Sequence, residues 1–357
     1  MEQTPFAKTL AQPYWLEDAP LSANGPEPLP PSADLVVVGS GYTGLSAAIE
    51  AARGGMSVLV LDRGAIGAGC STRNGGQVSS SIKPELGKLT VRHGADLARR
   101  IRDEGYAALA HTEALIAANR IDCDWQKSGR YIAAHSPKQF DGLARLVEAR
   151  ARAGEPEMTL VPQSQQLGEL GSDRYFGGAV TAYNAAVQPA KLHVGLLRLA
   201  EGLGVVVQGG HEVTGIARDG AGFRVRTGGG DFTASRVVVT AGAWVSGLVP
   251  ALAGVTSVRR QVLHWFPVAD PAAYAPGRFP IFIWMHGVGA GAARAAACLY
   301  TVSRDSGFIV DEVDGVVVAS PCSGHGFKHS AGLGEALAAR ACGAGPALDA
   351  FRLARFG

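Results

Sequence analysis

The run Gly39-Ser-Gly41-Tyr42-Thr43-Gly44 carries the sharpest chemical signal in the chain. Gly39 permits a tight turn, Gly41 lets a pyrophosphate approach the backbone, and Gly44 lets a helix pack closely on a strand. A helix starting there would offer unpaired N–H groups and a positive dipole end to phosphate. Asp62, followed by Arg63, closes the next apolar run, where an acceptor for ribose hydroxyls belongs. An acid at that point disfavours a 2′-phosphate, so NADP is the least suited dinucleotide. The alternative is an ordinary glycine-rich strand-to-helix turn. A second polar stretch follows, Gly67-Ala-Gly69-Cys-Ser71-Thr72-Arg73-Asn-Gly75-Gly76-Gln77. Such a loop can run beside a long cofactor, with Ser71, Thr72 and Arg73 as donors to phosphate or ring atoms, and this favours FAD over NAD. Its alternative is a solvent loop.

These residues need a frame. Asp34–Val38 and Ser57–Leu61 are β-branched or apolar runs of the kind buried on both faces of a parallel sheet, and Leu45–Arg53 between them reads as a helix. That βαβ unit opens a doubly wound sheet. Helical spacing covers 90–120, 137–153 and 191–202. Strands are expected at 129–133, 205–207, 213–217, 223–227, 236–240 and 315–319, the last followed by a glycine turn and a helix from about His329 to Ala341. Strand–turn–helix at both ends predicts a cofactor domain assembled from separated segments, 34–86, 187–258 and 297–345. A substrate domain takes 87–186 and 259–296, a proline-rich arm 1–33 and a tail 346–357.

Bulk properties narrow the field. The chain has 357 residues, 47% hydrophobic, enough for one large or two interlocked domains, with a net charge of +2. Basic residues do not run in blocks, so nucleic acid is not an expected partner. No stretch approaches the apolar length that spans a bilayer, and the N-terminus lacks the apolar region of a signal peptide. Five cysteines, with no metal spacing among them, read as reduced thiols of a cytoplasmic protein.

Residues 35–77 resemble the FAD-binding front of the D-amino-acid-oxidase-like flavoenzymes, within them the γ-glutamylputrescine oxidase branch. The back, Ala297-Cys298-Leu-Tyr-Thr with Gly324-His325-Gly326-Phe327-Lys328, resembles the monomeric sarcosine oxidase and N-methyltryptophan oxidase branch. The resemblance implies a Rossmann-like, glutathione-reductase-type FAD domain with an interleaved mixed-sheet substrate domain. It implies FAD, bonded covalently through Cys298, with Val213 and Gly242 beside it. The 324–327 turn would point N–H groups at the flavin pyrimidine edge, Lys328 would pair with a substrate carboxylate, and His325 would stand with it. The implied reaction is oxidation of the C–N bond of a secondary amine or N-methyl amino acid. A hydride passes to flavin N5, giving an imine and, with oxygen, hydrogen peroxide. Alternatives are a dehydrogenase using another acceptor and an impaired FAD-binding remnant.

Departures from the resemblance concern the substrate side. Gly75 and Gly76 stand where a second carboxylate-holding cation belongs in sarcosine-oxidase-like enzymes. Residues 286–297, HGVGAGAARAAA, replace several strands and the lysine associated with oxygen activation. A shortened substrate domain is therefore expected. His264 with Trp265, Arg259 with Arg260, and Arg130 with Tyr131 are open between pocket and packing roles.

Overall fold

A computed structural model describes residues 12–21, 29–155, 158–275, 278–283, 294–345 and 349–357. Parts of the arm and tail, and residues 286–293 of the shortened stretch, lie outside these.

The central sheet runs Ile309–Val313, Val316–Ser320, Gly230–Val239, Ser32–Val38, Val58–Leu61, Val206–Gln208. Every neighbouring pair is parallel except the first. The apolar runs follow from burial on both faces: Leu35, Val37, Val58 and Val60 enter one core, Val36, Val38, Leu59 and Leu61 the other. Full burial of each such side chain is worth roughly 1.5–3 kcal/mol. Helices Tyr42–Arg53, Pro189–Gly202 and Ser330–Ala341 cover the first face through Leu45, Leu192, Leu196 and Leu337. Strands Val213–Asp219 and Gly222–Thr227, with the turn around Val245, cover the second through Phe223, Val225 and Leu252. The fold is the three-layer α/β arrangement expected from the alternating elements.

Two strands are longer than the apolar runs suggest. Gly230–Val239 extends backwards because its polar half pairs with the Gly222–Thr227 hairpin arm. Thr256–Trp265 pairs along its whole length with Arg294–Ser303, and this second strand runs through the boundary expected at 297. The helix expected over 90–120 is two helices, Leu86–His93 and Ala95–Ala118. Gly94 breaks them at φ +79, where its N–H bonds Thr90 O and closes the first helix.

A smaller sheet, Ile281–Ile283, Arg130–Ala133, Gly178–Thr181, Thr159–Val161, stands apart from the central one. Its core is modest, with Tyr131, Ala133, Val161 and Leu170 against Phe279 and Phe282. Helix Pro137–Arg152 closes its other face through Leu143. Among the described residues no helix is long and apolar enough to cross a membrane.

Candidate active site

One cleft of about 960 Å³ runs from the Gly39 turn to Lys328. Its first end is made of backbone. Gly39 has φ +107, and a Cβ there would sit 2.6 Å from Thr240 O. A Cβ on Gly44 would meet Gly39 O at 2.0 Å. Gly41 differs: a Cβ would meet only Ser71 Oγ, at 3.1 Å, because this glycine faces the cleft. Helices Pro137–Arg152 and Pro189–Gly202 carry their own side-chain caps, Ser136 and Gln188. Helix Tyr42–Arg53 has none; Ser71 Oγ accepts the Tyr42 N–H at 3.1 Å. An uncapped first turn opening on a cleft suits an anionic ligand.

Asp62 lies at the mouth of this turn. One carboxylate oxygen accepts from Ser40 N and Ser40 Oγ at 3.0 and 2.6 Å, and the other from Gly64 N at 3.2 Å. His193 backs the same loop, its Nε2 2.7 Å from Ser40 O, and burial holds it below the ordinary histidine value. Arg63 lies over the Trp244 ring at 4.8 Å and 3.7 Å from Glu212. Thr43, Val213 and Gly242 complete this part of the wall.

The middle of the cleft carries sulfur. Cys298, opposite Gln261 on the long two-stranded ribbon, is 1% exposed, and its thiol hydrogen-bonds Cys70. The Cys70 thiol donates to Leu299 O at 2.9 Å, and its Sγ accepts the Leu299 N–H at 3.3 Å. The bond from Cys298, then the Leu299 N–H and the charge of Arg73, draw Cys70 down to about 7 against the cost of burial. The same bond and burial push Cys298 up.

The far end is cationic. Lys328 Nζ donates to Ser79 Oγ and Ser81 Oγ at 3.0 and 2.7 Å. Burial, then the charges of Arg130 and Lys83, lower it to about 7. His325 is lowered to about 4 by burial. Its ring stacks on Phe308 at 4.6 Å with Nε2 3.0 Å from Ser306 O, so the neutral imidazole braces the loop. Gly324 has φ +75 and approaches the Tyr300 ring, and Gly326 packs against Pro321. The Phe327 ring lies 4.8 Å from that of Tyr42.

The cleft thus gathers most of the residues singled out from sequence, but not all. Tyr42 contributes its backbone; its buried hydroxyl donates to Pro189 O at 2.6 Å. Thr72, Arg73 and Gly76 lie outside the lining. Thr72 Oγ1 donates to Gly67 O and Arg73 Nε to Ala68 O, and a Cβ on Gly76 would meet Val187 O at 2.2 Å. They shape the loop that Ser71 presents. His264 is exposed on the ribbon and stacks on Phe266, whereas Leu263 faces the cleft. Arg259 and Arg260 are exposed too. Sequence reasoning read Cys70 as a packing thiol and passed over His193. Cys70 stood inside the glycine-dense loop, which was a signal; nothing local marked His193.

The sequence pattern of the family described as "FAD dependent oxidoreductase" matches residues 34–292. The chain belongs to that family. Gamma-glutamylputrescine oxidoreductase of Escherichia coli K12 is 32% identical over 230 residues, which is 62% of this chain and 52% of that protein. N-methyl-L-tryptophan oxidase of Citrobacter koseri is 24% identical over 401 residues, 90% of this chain and 99% of that one. The chain spans about half the length of the first curated relatives it matches. Glycine oxidase from Geobacillus kaustophilus shares the fold, with a TM-score of 0.76 at 19% identity over 91% of this chain and 99% of that one. The residues present fit FAD. Gly41 leaves room beside a helix without a side-chain N-cap, Asp62 follows the second strand on the cleft wall, and the cavity continues past Cys298 to the 324–327 turn.

Proposed function

We propose that this chain oxidises the C–N bond of an amine or amino acid, with FAD lying along the cleft and molecular oxygen as the final acceptor. The observation that carries this is the continuity of one cavity between a phosphate-accepting helix end and the Lys328 ammonium. Bound FAD supplies a two-electron acceptor for the substrate's α C–H bond. The chain's own residues then have definite tasks. The first-turn N–H groups beyond Tyr42, whose own N–H bonds Ser71 Oγ, hold pyrophosphate, and Asp62 holds a ribose hydroxyl with lone pairs left after Ser40 and Gly64. Backbone N–H groups of the 324–327 turn stabilise negative charge at the pyrimidine edge.

Lys328 orients the substrate. Burial lowers its ammonium to about 7, and an arriving carboxylate favours the protonated form. The bound carboxylate fixes the amine, which must be neutral at nitrogen, above the reacting face. His325 stays uncharged and structural to the loop. For the covalent link we favour Cys298, which lines the middle of the cleft beside Leu299 and Tyr300.

Anaerobic addition of amines and N-methyl amino acids to the flavin-loaded protein tests the reading. Bleaching of the flavin absorbance, reversed by air with release of peroxide, is the expected result. An unbleached flavin across mono- and dicarboxylate amino acids and simple secondary amines would rule the reading out. Bleaching that air fails to reverse, while an artificial acceptor does, would move the final acceptor from oxygen to another partner.

A further inference from the structure

The Lys328 end of the cleft holds more positive charge than one carboxylate neutralises. Three cations line it: Lys328, Lys83 on the exposed part of the 79–83 loop, and Arg130 from the smaller sheet. The acidic residues of the lining, Asp62 and Glu212, both lie at the opposite end, beside the Gly39 turn. Among the described residues Arg130 and Lys328 face no carboxylate, and Arg130 Nε is buried without a hydrogen-bond partner. The neighbouring Arg150 also has a buried Nε without a hydrogen bond, but a carboxylate and two hydroxyls lie against its guanidinium. Its guanidinium pairs with Glu155 at 3.1 Å and bonds the hydroxyls of Tyr106 and Tyr183.

A half-buried guanidinium whose inner Nε lacks an acceptor, beside a second cation, is stabilised when a ligand completes it. Arginine offers a planar fork that matches a carboxylate in a bidentate pair. Arg130 belongs to a different element from the lysines, so its fork and the Lys328 ammonium approach the cavity from separate walls. One carboxylate on Lys328 would leave Arg130 uncompensated. Two carboxylates balance both inner charges and leave Lys83, at the solvent-facing side, to be screened by water.

We propose that Arg130 forms a second anion subsite and that the substrate is an amine carrying two carboxylates, one held by Lys328 and the other by Arg130, with the partly screened charge of Lys83 nearby. The inference rests on the amine-oxidation reading for the reaction, but not for the binding of the anion. It makes Arg130 a specificity-determining residue on a sheet that otherwise serves packing.

Inert four-carbon acids separate the two claims. Succinate and butyrate are titrated into the flavin-loaded protein, and binding is read from the flavin absorbance change and from thermal stabilisation. Succinate should bind more tightly than butyrate, by about 30-fold, the range for completing a buried charge pair. Arg130→Gln should erase that preference while retaining FAD, and Arg130→Lys should keep part of it. Equal affinity for the two acids in the unaltered protein, or a preference undiminished in Arg130→Gln, would overturn the subsite. If Arg130→Gln does not fold, Lys83→Gln serves instead, with a preference reduced about threefold expected for a partly screened charge and an unchanged one counting against the proposal. A succinate preference in a protein whose flavin no amine bleaches would uphold the subsite and defeat the reaction.

Discussion

The two ends of the cleft are built on opposite plans. At the Gly39 end the binding groups are backbone N–H donors, fixed by a turn in which added Cβ atoms would collide. At the Lys328 end they are side-chain charges brought in from a loop, the start of an inner strand of the smaller sheet and the turn before the last helix. The first end would suit what dinucleotides share, and two of its glycines leave no space for a side chain. The second accepts changes of shape but responds steeply to changes of charge. A cofactor common to many enzymes and a substrate particular to one call for that division.

The largest effect should come from breaking the first plan. Gly44→Val puts branched carbon where Gly39 O lies 2.0 Å from even a Cβ. The expected outcome is a flavin-free protein destabilised by about 3 kcal/mol, checked by absorbance and thermal unfolding. Next is Lys328→Met, which should retain flavin yet lower kcat/KM for carboxylate-bearing amines about 100-fold. Amines without a carboxylate should lose far less, and that contrast separates a substrate contact from a structural role.

A smaller, graded effect follows from pH. Lys328 is depressed to about 7 by burial and by Arg130 and Lys83, with neutral His325 and His329 packed nearby. Its positive charge is present below that value and lost as pH rises through it. Acetate affinity should therefore fall above pH 7, by at most about tenfold per unit. A flat profile between pH 6 and 9 would place the carboxylate elsewhere. The smallest effect is expected at His264→Ala, within about twofold on kcat/KM, since the ring lies on the outer side of the ribbon.

The same contrast decides what was legible in the sequence. The Gly39 turn, its flanking strands and Asp62 lie within one short stretch, so spacing alone assembled them. The parallel strands announced themselves because burial on both faces demands unbroken apolar runs. The other end depends on contacts that no period encodes. Ser79 and Ser81 meet Lys328 across most of the chain, Cys70 meets Leu299 in the same way, and His193 reaches back to Ser40. Arg130 looked ambiguous on its strand because alternation cannot say which face has a cleft behind it. The strand Arg294–Ser303 was missed since its small and polar residues gain their order from pairing with Thr256–Trp265. The helix break at Gly94 was visible as a residue but hidden by the apolar spacing on either side.

The central claim is that one continuous cleft holds FAD from the Gly39 turn to the cysteine pair. An absorbance spectrum of the purified, FAD-reconstituted protein, repeated on the acid-precipitated pellet and supernatant, tests it most directly. The account predicts about one flavin per chain, with colour kept in the pellet of the unaltered protein and released into the supernatant by Cys298→Ser. A protein that binds no flavin on reconstitution would contradict it, and colour kept in the pellet of Cys298→Ser but lost in Cys70→Ser would move the covalent link to Cys70.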